Sequence, residues 1–146
     1  MNGGAAQKIT EITDKNSPNI IVMNTVVSSA TSGLAHVLLS QFSNVFWQDY
    51  IIQKTGQTQQ NDIIDLCMSI IAGTVSITAC CNNVSMGFAV IIGFLACLIF
   101  KWSKQLFSKY EIDNPLYISQ THGICGFFSI IAGGMFDLDN GFLTTG

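Results

Sequence analysis

His36 and His122 are the side chains whose chemistry stands out, because each lies in a stretch without a single Asp, Glu, Lys or Arg. A neutral imidazole donates a hydrogen bond from one ring nitrogen and accepts one at the other. Rotating the chain by about 100° per residue puts Cys125, Gly126, Ser129 and Gly133 each within about 60° of His122. Ile124, Phe127, Phe128, Ile131 and Met135 take the opposite side. The stretch around His36 repeats the arrangement. Thr25, Ser29, Ser32, Gly33, His36, Ser40 and Ser43 share one face, and Val27, Leu34, Leu38 and Val45 share the other.

No other grouping offers reaction chemistry. There is no Ser/His/Asp set, no phosphate-binding loop, no HExxH and no carboxylate pair within an apolar stretch. Cys67, Cys80, Cys81, Cys97 and Cys125 have neither CxxC spacing nor a histidine at zinc-ligand distance, so they read as small buried hydrophobes. The expectation is a protein that is not an enzyme and that uses no cofactor and no metal.

The elements that position these residues follow from charge. Of 146 residues, 49% are hydrophobic and only 10% charged, against about a quarter charged in ordinary soluble domains. Six lysines, no arginine and nine acids give a net charge of -3, too little positive charge for a nucleic-acid partner. Charge-free gaps of 33, 35 and 23 residues lie between Lys15 and Asp49, Asp65 and Lys101, and Asp113 and Asp137. Roughly 20 apolar residues cross a hydrocarbon layer about 30 Å thick, so each gap is long enough to span one. The pattern predicts an all-α membrane protein, a multi-span transmembrane helical bundle. Cys81-Asn82-Asn83-Val84-Ser85 interrupts the longest gap, and the expected spans are 20–47, 63–84, 86–100 and 116–136.

Trp47 and Tyr50 would mark one interface and Lys101 and Trp102 another. The stretches 48–65 and 101–113 read as loops carrying Lys54, Lys101, Lys104 and Lys109, against Lys8 and Lys15 on the other side, which places those loops in the cytoplasm. Residues 1–15 lack the apolar core of a cleaved secretory signal. In a bilayer, bulky faces meet lipid while small and polar faces meet other helices or a pore. His122 therefore points inward, either along a substrate path or as a neutral histidine bonded to a neighbouring helix. For His36, with its hydroxyl-rich stripe, packing is the favoured reading.

Three ordered passages resemble the ammonium transporter family. They are Asn24-Thr25-Val26-Val27 before a small-residue helix; Ala72-Gly73-Thr74-Val75-Ser76-Ile77-Thr78-Ala79-Cys80-Cys81 followed by Ile91-Ile92-Gly93; and Ile112-Asp113-Asn114-Pro115-Leu116 followed by Thr121-His122-Gly123-Ile124-Cys125-Gly126. Together they cover most of the chain. Met1-Asn2-Gly3-Gly4-Ala5 is similar to the end of the family's sixth span, so the chain resembles the end of span six through span ten of an eleven-span fold and reads as an incomplete or truncated member.

The resemblance implies transport of ammonium or ammonia through a histidine-containing apolar pore, in a plasma-membrane homotrimer surrounded by lipid. His122 matches the second of the family's paired pore histidines, whose partner would come from the fifth span. Several positions depart from the pattern: Met1 stands for the gate phenylalanine, Ala5 for the mouth serine, Asn114 for the second aspartate, Tyr117 for a later acidic residue and His36 for a bulky aromatic. The alternative is a non-conducting membrane subunit that assembles with or regulates full-length transporters.

Overall fold

The computed structural model describes residues 18–46, 60–112, 117–136 and 142. Among them the regular structure is entirely helical: α1 (Pro18–Phe46), α2 (Gln60–Ser76), α3 (Met86–Lys109), and a π-helical turn, Ser119–Ile124, that runs into α4 (Cys125–Phe136). Pro18 opens α1, where its missing N–H is one that no intrahelical acceptor would use.

α1 packs broadly on α2 and α3, and α4 closes against α2 and α3. Its contact rests on small side chains. A Cβ added at Gly93 of α3 would lie 2.3 Å from the Ser28 carbonyl oxygen, and one at Gly73 of α2 would lie 2.6 Å from Ser32 Cβ. Such close approach allows hydroxyls to bridge helices: Ser28 Oγ donates to the Gly73 carbonyl at 2.9 Å and Ser32 Oγ to the Ser69 carbonyl at 2.7 Å. Small residues and interhelical hydroxyl bonds are what hold helices together where lipid removes the hydrophobic drive between them.

The distribution of side chains is the reverse of a soluble domain's. Ser28, Ser32, Ser69 and Ser76 are fully buried, while Leu34 is 65% exposed, Phe127 67% and Ile130 69%. One apolar cluster gathers Ile21, Ile77, Cys80, Val84, Ala89, Ile92, Ala132 and Phe136, and another gathers Ala72, Phe100 and Cys125. Of the cysteines, Cys80, Cys81, Cys97 and Cys125 are buried as expected, whereas Cys67 is exposed on the outer face of α2.

By length and composition, two helices among the described residues suffice to cross a membrane: Pro18–Gln41 within α1, and α3; Ile63–Ser76 of α2 is apolar but shorter. At about 1.5 Å per residue, the 24 residues of α3 reach about 36 Å, more than a hydrocarbon layer needs.

Helix boundaries depart from the expected spans in two places. α3 does not stop at Phe100 but continues through Lys101 and Lys104 to Lys109, so most of the expected 101–113 loop is helix. The lysines mark where the helix leaves the apolar layer, and nothing in Lys101–Lys109 breaks a helix. In the other place, α2 ends at Ser76 rather than near Val84. The chain then passes through tight turns in which Thr78 N–H bonds to the Val75 carbonyl, Cys80 to Ile77 and Asn83 to Cys80, each at 3.1 Å.

Backbone that leaves helical geometry inside an apolar layer must find partners within the protein. Asn24 of α1 supplies them, its Nδ2 donating to the Cys81 carbonyl at 3.0 Å and the Val84 carbonyl at 2.8 Å.

The Met1–Ala5 passage, the Trp47 and Tyr50 interface, residues 48–59 of the expected loop, the Asp113–Leu116 passage and the tail 137–141 and 143–146 lie outside the described residues.

Candidate functional site

His122 stands in the middle of the π-helical turn Ser119–Ile124. A π turn bonds i to i+5 and winds more slowly than an α-helix, and such turns are often found at functional sites. The slower winding separates His122 from the face that a uniform 100° step assigns to it. Gln120 and Thr121, 1% and 2% exposed, take the buried positions, and His122 and Gly123 are exposed on the surface of the four-helix unit. A Cβ added at Gly123 would meet nothing within 4 Å, so the backbone beside the imidazole borders open space.

The rest of the expected small-residue face behaves as packing. Cys125 and Ser129 are buried. Ser129 Oγ accepts a hydrogen bond from the Ala79 N–H at 2.9 Å, and a Cβ at Gly133 would lie 3.6 Å from Ala79 Cβ. α4 thus seats its small residues on the turn that follows α2, and the π turn carries His122 off that seat.

His36 is 7% exposed and lies within the α1 contact surface, in keeping with the packing reading. Its backbone carbonyl accepts a hydrogen bond from Lys101 Nζ of α3 at 3.4 Å. Among the described residues of α1 the buried polar side chains are Asn24, Ser28, Ser32 and His36, a row at four-residue spacing. The sequence reading placed Ser32 and His36 on this face but missed Ser28, and treated Asn24 only as part of a motif. The i, i+4 ladder was the signal that finds all four.

A polar cluster that sequence reasoning missed joins α2, α3 and the entry to α4. Lys104 of α3 forms an ion pair with Asp65 of α2, and its ammonium lies 5.0 Å from the centroid of the Tyr117 ring. Phe100 meets the same ring edge-on at 6.1 Å and 86°. Asp65 had marked only the edge of a charge-free gap, and a pairing 39 residues apart has no local signature.

Among the described residues no three His, Cys, Asp or Glu side chains gather as a metal site.

The model of the Ammonium Transporter Family matches residues 1–142. The chain is 37% identical over 75 residues to Ammonium transporter 1 member 1 of Solanum lycopersicum, which covers 51% of this chain and 15% of that protein. It is 30% identical over 118 residues to Ammonium transporter 2 of Schizosaccharomyces pombe, covering 81% of this chain and 20% of the relative. A putative ammonium transporter of Synechocystis is 28% identical over 135 residues, 92% of this chain and 28% of its own length.

In structure the chain is similar to the crystal structure of a Mep2 mutant, delta442, from Candida albicans. The TM-score is 0.71 at 23% identity, covering 98% of this chain and 34% of that one. The fold is therefore that of an all-α, multi-span membrane bundle, and the chain spans about a third or less of the length of each of these proteins.

Proposed function

This chain belongs to the ammonium transporter family, and on that premise we propose that the complete protein carries ammonium or ammonia across a membrane, with His122 on the wall of the substrate path. The observation that carries the reading is the exposure of His122 on a π turn, beside a glycine whose flank is open; the passage around it resembles the family's histidine motif.

The chemistry suits the cargo. An ion crosses a dry apolar passage only at great cost, whereas a small neutral amine that keeps a hydrogen-bond partner crosses readily. An imidazole offers such a partner in either polarity, since one nitrogen accepts from N–H and the other donates to a lone pair. In this reading the protein performs transport rather than catalysis. The exposed face of Leu34, Phe127 and Ile130 meets lipid or further helices, and the complete protein works as a homotrimer in the plasma membrane.

Uptake of labelled methylammonium by cells expressing the complete protein tests the proposal. His122→Ala removes one hydrogen-bonding group from the path, a loss that corresponds to about a tenfold fall in uptake. Uptake at the wild-type rate in this variant, with equal protein in the membrane, would remove His122 from the mechanism.

A further inference from the structure

Tyr117 holds a backbone conformation that its side chain disfavours, and Thr121, Phe100 and Lys104 contact it there. Its φ is 50°, in the left-handed region that bulky residues rarely enter. Its carbonyl accepts from both the Thr121 N–H and Thr121 Oγ1 at 2.9 Å, so Tyr117 begins the turn that carries His122. Its ring is held edge-on by Phe100 and covered by the Lys104 ammonium at 5.0 Å. Lys104 is in turn fixed by Asp65, a buried carboxylate whose Oδ1 has no hydrogen-bond partner among the described residues.

We propose that Lys104 is a positioning residue for His122: by pairing with Asp65 and covering the Tyr117 ring, it anchors the entry of α4 in the conformation from which the π turn unwinds. The anchor reaches from α2 through α3 to α4, which gives the turn a fixed point outside its own helix. Without the cation over the ring, Tyr117 returns to an ordinary conformation and the turn relaxes toward α-helical winding. His122 then rotates toward the buried face of Cys125 and Ser129. The proposal rests on the transport reading only for what His122 does, not for how it is held.

The test is chemical modification of the complete protein in membrane vesicles. Diethyl pyrocarbonate acylates accessible imidazoles, and peptide mass spectrometry reads His122 against buried His36 as the internal reference. Lys104→Met lowers modification of His122 relative to His36 by about threefold, the population shift that a lost cation–π contact allows. The double variant Asp65→Asn with Lys104→Met leaves no buried charge behind and shows the same fall. Lys104→Arg keeps the charge over the ring and restores the wild-type ratio. Ser32→Ala, which removes an α1–α2 hydrogen bond but none of the Asp65, Lys104 and Tyr117 side chains, leaves the ratio unchanged.

An unchanged ratio in both Lys104→Met variants overturns the proposal, as does an equal fall in Ser32→Ala. A fall in modification with undiminished methylammonium uptake sustains the positioning role and removes His122 from transport.

Discussion

Asn24 shows how much one side chain contributes in this molecule. Both hydrogens of its amide are committed to carbonyls, those of Cys81 and Val84, in a turn more than fifty residues away in sequence. A buried carbonyl stripped of its donor costs about 1–3 kcal/mol. Asn24→Leu keeps the volume but removes both bonds, and the expected loss of stability is about 2 kcal/mol or more, allowing for partial relaxation of the turn. Unfolding of the detergent-solubilised protein by sodium dodecyl sulfate or urea measures it. A sequence reading sees Asn24 only as a motif letter, because nothing near it in the chain announces where its amide will point.

The C-terminus of α3 repeats the lesson for an element. Ile112 N–H bonds to the Phe107 carbonyl at 3.1 Å and Glu111 N–H to the Ser108 carbonyl at 3.3 Å, the double bonding of a Schellman motif. Its left-handed position, φ 51°, is occupied by Glu111 where glycine is usual. Left-handed backbone costs an ordinary residue about 1–2 kcal/mol, partly offset in glycine by the greater freedom of its unfolded chain. Glu111→Gly should therefore stabilise the protein by about 0.5–1 kcal/mol, seen as a higher midpoint in the same unfolding assay. The helix reaches this cap because no proline or glycine lies in Lys101–Lys109. Hydropathy placed the end of the span at Phe100, since it reports where the apolar layer stops and not where helical hydrogen bonding does.

For the whole molecule, buried serines and exposed Leu34, Phe127 and Ile130 mean that a bilayer, not water, is the matching solvent. The chain should stay in the membrane pellet after alkaline carbonate washing and enter solution only with detergent; recovery in the carbonate supernatant would contradict a multi-span bundle. That conclusion was legible in the sequence, because long charge-free gaps and small-residue faces are properties of composition and order alone. So was the family, since its motifs are short local strings, and so was the prominence of His122 as an ionisable group in an apolar stretch. That His122 leaves the buried face of Cys125 and Ser129 was not legible. A helical wheel assumes one uniform twist, and the π turn at Ser119–Ile124 breaks it. Nor was the Asp65–Lys104–Tyr117 cluster, whose members come from three helices. Apolar layers select for composition, which the sequence carries residue by residue. The direction of a side chain and the identity of a distant partner arise only when helices pack, because they depend on the winding of one element against the position of another.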